Sequence, residues 1–140
     1  MILNCLVCYQ LIRISRLQEL VSFESPLLCA RCQSFLQQQT APTLYVRNSW
    51  LEEVLDRLNQ GDICLNQLFF RTLRAAILQH QNQIKQIIVV EADVKAPYPW
   101  LNILVKEIEK SIPEQTFKGT EILIITEKFV DSKVLQISIV

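Results

Sequence analysis

Hydrophobic and polar positions change period along this chain, and the changes predict where helices give way to strands. Apolar residues at Trp50, Leu51, Val54, Leu55 and Leu58 form one stripe at helical spacing. Asn48 or Ser49 caps that helix, Ser49-Trp50-Leu51-Glu52 has the form of a capping box, and Gly61 stops it. Asp62 caps a second helix that runs to about Gln79 and buries Leu65, Leu68, Phe69, Leu73 and Ile77. His80 ends it, where the helix dipole favours a cation, and Arg57, Arg71 and Arg74 make a solvated face. The period then shortens. Residues 86–91 are a near-continuous apolar run, expected as a strand covered on both faces. Pro97 and Pro99 break the chain, and 100–111 returns to helical spacing with Leu101, Leu104, Val105 and Ile108 on one side until Pro113. Gly119 marks a turn before a second apolar strand, 121–126. In the tail, 134–140, Leu135, Ile137 and Ile139 alternate with Gln136 and Ser138, a third strand. A short strand at 43–46 precedes the first helix. Strands alternating with helices predict an α/β architecture of three or more strands, with α+β as the remaining option.

Residues 1–40 follow another logic. Four of the five cysteines form two pairs, Cys5-Leu6-Val7-Cys8 and Cys29-Ala30-Arg31-Cys32, separated by 20 residues. Two thiolates three positions apart in a tight turn can face one ion. Two such knuckles make a tetrahedral four-sulfur site, which suits one zinc per chain. Two disulfides, or four reduced buried thiols, are the alternatives. Tyr9 to Phe23 carries apolar residues between the pairs, 34–39 continues as a short polar helix, and 37–42 reads as a linker ending in Pro42. We therefore expect a metal module over 1–40 and an α/β domain over 41–140. Cys64, in an apolar stretch, is expected as a packed free thiol.

Charge and composition remove several classes. Fourteen basic and 14 acidic residues cancel, so bulk charge does not hold nucleic acid. With only Gly61 and Gly119, there is no Walker loop and no dinucleotide fingerprint, and a single histidine excludes two-histidine chemistry. No targeting segment is evident, and no apolar run approaches the ~18 residues that span a bilayer. The chain is thus expected in the reducing cytoplasm, with no membrane insertion, which favours metal over disulfides.

The order of these features resembles the ComF family of competence proteins. The matching residues are Cys5, Cys8, Cys29 and Cys32, then Leu44-Tyr45-Val46-Arg47-Asn48, the helix to Leu58, and Gly61-Asp62. The similarity covers about residues 3–75 and continues more weakly over 83–136. It implies a small N-terminal zinc ribbon joined to a type I phosphoribosyltransferase domain, acting in DNA uptake and natural transformation. The family's active members hold phosphoribosyl pyrophosphate in a loop after a strand, with two acids for the ribose hydroxyls and Thr/Gly amides for the phosphate. Here Thr126 replaces the first acid, Glu127 keeps the second, and Asp131 and Ser132 stand where threonine and glycine belong. Asp131 would set a negative charge beside the anion, and no glycine permits close backbone approach.

The resemblance implies a degenerate, non-catalytic protein that binds a competence-machinery protein or single-stranded DNA. For DNA the contacts are Arg13, Arg16 and Arg31, with Tyr9 and Phe23 for stacking. A divergent transferase using magnesium, phosphoribosyl pyrophosphate, Glu127 and Asp131 is the enzymatic alternative. A zinc-ribbon scaffold unrelated to competence is the third. Glu91, Asp93 and Glu127 are strand-end carboxylates of the kind that gather at a functional edge. A simple hairpin over 121–140, turning at Asp131-Ser132, is the other reading of the C-terminus. The exposed edge of a short sheet makes a homodimer an option.

Overall fold

The computed structural model describes residues 2–13, 28–39, 42–91 and 98–140. The readings placed on Arg16, Phe23, Asp93 and Pro97, and on the apolar residues from 14 to 23, lie outside the described residues. Strands β1 (Ile2–Asn4) and β2 (Leu11–Arg13) form an antiparallel hairpin with Asn4 opposite Leu11. Helix α1 (Ala30–Phe35) starts inside the second cysteine pair and stops at Phe35, earlier in both respects than the helix expected at 34–39. Helix α2 (Ser49–Asn59), a 3-10 helix (Ile63–Leu68) and α3 (Phe70–Gln79) follow. Strand β3 (Ile84–Val90), helix α4 (Trp100–Lys110), β4 (Glu121–Thr126) and β5 (Gln136–Ser138) complete the order.

The three C-terminal strands form a parallel sheet in the order β3-β4-β5, so the α/β class holds. The hairpin reading of 121–140 is corrected. Ile124 pairs with Gln136 and Thr126 with Ser138 in parallel register, so the nine residues between Thr126 and Gln136 carry the chain back to the sheet's starting edge. The reason lies in β5, which is buried on both faces and along both edges. Gln136 and Ser138 are buried as fully as Ile137. Gln136 Nε2 donates to the Val130 carbonyl and to Ser132 Oγ, which satisfies its amide inside the protein. On the far edge, the expected strand at 43–46 appears as an extended segment. Leu44 N–H donates to the Ser138 carbonyl (2.9 Å) and Tyr45 N–H to the Ile139 carbonyl (3.0 Å).

Helix α2 is capped by Asn48, whose Oδ1 accepts from Leu51 N–H at 2.8 Å. Its Nδ2 donates to the Phe35 carbonyl at 2.8 Å, so one side chain joins the end of α1 to the start of α2. The capping box is not used, because Glu52 is drawn to Arg47 (2.6 Å) and Lys128 (3.2 Å). Asp62 does not cap the next helix either. Its carboxylate is held by Arg57, and the expected single helix begins as a 3-10 turn that breaks at Phe69. At three residues per turn, Leu65 and Leu68 point inward and Cys64 points out. Cys64 is therefore an exposed thiol rather than a packed one.

The interior is one continuous cluster. Tyr45, Phe69 and Trp100 form an aromatic chain with ring separations of 5.4 and 5.9 Å. Leu51, Leu55 and Leu58 of α2, Leu101, Leu104 and Ile108 of α4, and Leu123, Ile125 and Ile137 of the sheet surround it. Cys5, Leu28 and Cys32 belong to the same cluster, so the cysteine segment shares the core of the α/β part. The expectation that β3 is covered on both faces is corrected. Helix α4 packs on one side, but Ile88 and Val90 remain exposed on the other, because the 127–135 connection folds back over β5 and does not reach β3.

Both glycines are required by contact. Gly61 takes φ +111° beneath the Tyr98 ring. A Cβ at Gly119 would lie 1.9 Å from the Gln83 carbonyl carbon, where the chain enters β4 against the start of β3. Gly119→Ala should therefore destabilise the fold by about 2–3 kcal/mol. Urea denaturation reads this directly, and an unchanged midpoint would contradict the close approach.

Candidate metal centre

The two cysteine pairs reach one point by different means. Cys5 and Cys8 sit at the tip of the β1–β2 hairpin. Cys5 N–H donates to the Gln10 carbonyl (2.8 Å) and Tyr9 N–H to the Cys5 carbonyl (3.0 Å). Tyr9 takes the left-handed conformation, φ +64°, that closes this turn. Cys29 instead precedes α1 as its cap, with Cys29 Sγ accepting from Cys32 N–H at 3.5 Å. One helical turn then brings Cys32 to the same side.

All four sulfur atoms lie within 4.8 Å of one another, and Cys8 Sγ is 3.5 Å from Cys29 Sγ. A tetrahedral ion with metal–sulfur bonds of about 2.3 Å needs sulfur separations of ~3.8 Å, so the four residues fit a metal. Cys5 and Cys32 are buried, Cys29 is half-buried and Cys8 faces solvent. Backbone amides prepare the site. Burial works against the Cys5 thiolate, but the N–H groups of Cys8, Cys29 and Val7 outweigh it and bring the thiol down to about 6. Burial raises the Cys32 thiol, and the neighbouring sulfurs add to that; the Trp50 side chain works the other way. Among the described residues the buried Trp50 indole N–H has no hydrogen-bond acceptor, and its ring stacks on Phe35 at 6.2 Å.

Arg57 does not belong to a solvated face, and this corrects the sequence reading. From the last turn of α2 it donates to the Val7 carbonyl (2.8 Å), to Tyr9 Oη (2.7 Å) and to Asp62 (2.7 Å). Its guanidinium also lies 5.5 Å from the centre of the Tyr9 ring. One arginine therefore fastens the first knuckle to α2 and to the Gly61-Asp62 turn. The sequence signal was an arginine three positions after the buried Val54 with Asp62 five positions beyond, a pattern too common to read in advance.

The other expected site residues do not assemble. Glu91 and Glu127 lie at the ends of β3 and β4, but each has an internal task. Glu91 Oε1 accepts from Asn102 N–H (2.8 Å) in the first turn of α4. Glu127 is buried, and Asn59 Nδ2 donates to it at 3.4 Å. Asp131 and Ser132 are exposed in the irregular connection between β4 and β5. Of the basic trio, Arg31 is exposed on α1 and Arg13 lies in β2 opposite Ile2, while Arg16 is outside the described residues. His80 ends α3 and pairs with Gln83 (3.0 Å), as a helix-end residue should.

Comparison with family models, curated proteins and solved structures found no match to this chain. Among the described residues, no helix is long and apolar enough to cross a membrane.

Two results should follow. Arg57→Ala should leave the four sulfurs in place but free the first knuckle, weakening metal retention in a chelator competition by about tenfold. Arg57→Lys, which keeps charge but loses the fork, should restore little of it. The buried Glu127 gives a pH effect. Burial raises its pKa above the unfolded value, so the folded chain holds the proton more tightly. Its stability contribution is best at low pH and is lost as pH rises through the folded pKa. Glu127→Gln should thus raise the melting temperature at neutral pH relative to the parent, with the difference vanishing in acid.

Proposed function

We propose that this chain is a ComF-like, zinc-binding protein of the cytoplasm that serves DNA uptake by binding a protein partner rather than by catalysis. Zinc is the ion best suited to four soft sulfur donors in tetrahedral reach. Four protein ligands leave no open position for substrate, the mark of a structural rather than a catalytic site.

The observation that carries the non-catalytic reading is the fate of the strand end at Thr126. A phosphate loop needs backbone N–H groups presented at a helix start. Here the chain runs from β4 into an irregular connection, Glu127 turns inward toward Asn59, and Ser132 Oγ accepts from Gln136. The link to DNA uptake rests on the ComF resemblance, and the geometry gives its residues a joint role. Asn48 ties α1 to α2, and the Gly61-Asp62 turn receives the arginine that fastens the knuckle. A protein partner is favoured over DNA because Tyr9 and Arg57 are engaged with each other.

The test is genetic and biochemical together. In the organism that carries the chain, its deletion should lower transformation frequency, and a Glu127→Gln, Asp131→Ala double variant should restore it in full. Unchanged transformation on deletion removes the uptake role. Failure of the folded double variant, with heat released on adding magnesium phosphoribosyl pyrophosphate, turns the reading to a divergent transferase. Single-stranded DNA binding that is lost in Arg13→Ala, Arg31→Ala chains replaces the protein partner by DNA.

A further inference from the structure

Strand β3 is the edge of the parallel sheet, and among the described residues no strand pairs with it on the side away from β4. It offers seven residues without proline or glycine. Such an edge is a template for another strand unless it is blocked, and no charge within residues 86–90 blocks it. The sheet's outer face beside it is apolar and open. Ile88 is 39% exposed, Val90 48% and the neighbouring Ile122 of β4 42%. Parallel sheets are normally covered on both faces, so this one lacks half its cover.

The strand's own sequence says what fits there. The register irregularity falls between Ile84 and Gln86, which leaves 86–90 as the regular stretch, and Ile88 is its centre. When two copies of β3 run antiparallel about Ile88, Ile88 faces Ile88, Ile87 faces Val89, and Gln86 faces Val90. Lys85 of one copy then meets Glu91 of the other at both ends. Directly opposed residues share a face in an antiparallel pair, so the three central contacts join apolar residues and the outermost join opposite charges, with Gln86 against Val90 between them. One Glu91 oxygen accepts from Asn102 N–H at 2.8 Å, which restrains the side chain at the end of β3. Lys85 is exposed and reaches outward on a long stem.

We propose that two copies of this chain pair through β3, antiparallel and two-fold symmetric about Ile88, to form one continuous six-stranded sheet. The two open faces become a single apolar floor, and the sheet loses its reactive edges at the join. A two-fold interface is self-complementary by necessity, and Lys85 near the start of β3 with Glu91 just past its end meets that condition.

Sedimentation of the metal-loaded chain at about 100 µM decides the matter. A dimer is expected. Ile88→Lys, at an exposed position, should give a folded monomer, because two lysines would meet at the axis. Lys85→Glu should weaken the dimer by about tenfold, by placing acid against Glu91. A parent chain that stays monomeric overturns the proposal and leaves β3 to a strand of another protein. A dimer that persists unchanged in Ile88→Lys overturns it equally, since the contact then lies elsewhere.

Discussion

Four sulfur atoms gathered within 4.8 Å are the constraint on which the rest of the fold depends. Cys8 and Cys29 are 21 positions apart, and holding them at 3.5 Å closes a long loop that neither the hairpin nor the six-residue α1 could close alone. A three-residue β1 and a six-residue α1 are each too short to persist in water. Their stability comes from the centre, and a metal bound there would contribute its binding free energy to folding. Because Cys5, Leu28 and Cys32 lie in the main apolar cluster, that contribution passes directly to the α/β core.

The centre would hold only its own loop if nothing joined it to the helices. Two side chains make that join. Arg57 reaches back from α2 to the Val7 carbonyl and Tyr9 of the first knuckle, and Asn48 connects the second pair's helix to α2. Helix α2 thus grips both halves of the cysteine site while its Leu51, Leu55 and Leu58 enter the core. Arg57 is only about a quarter exposed, so its bonds to the Val7 carbonyl and Asp62 are less screened than those of a surface ion pair. This places the four-cysteine cluster and the sheet in one mechanical unit.

The sequence made periodic features legible and left competitive ones hidden. The gathering of the four cysteines, α2 from its apolar stripe, α4, β4 to the residue, and the stop at Gly61 were all readable from spacing. What failed were choices among partners. Glu52 could close a capping box or meet Arg47 and Lys128, and the ion pairs won. Asp62 could cap a helix or hold Arg57, and the charge won, so that the first turn became 3-10. Arg57 read as a solvated charge because its partners lie about 50 positions away. The direction of β5 was equally hidden: alternation fixes which residues share a face but not whether a strand returns or repeats.

The parallel direction of β5 is also what leaves the sheet incomplete. A parallel connection usually spends a helix on the sheet's face, and that helix supplies the cover. Here the nine residues between Thr126 and Gln136 are too few for one. Their hydrogen bonds are used on Gln136 and on Thr126, whose hydroxyl donates to the Lys128 carbonyl at 2.9 Å. The same short connection that presents no helix start therefore leaves Ile88, Val90 and Ile122 exposed. The absence of a helix from residues 127–135 and the open apolar face beside β3 are thus one structural feature.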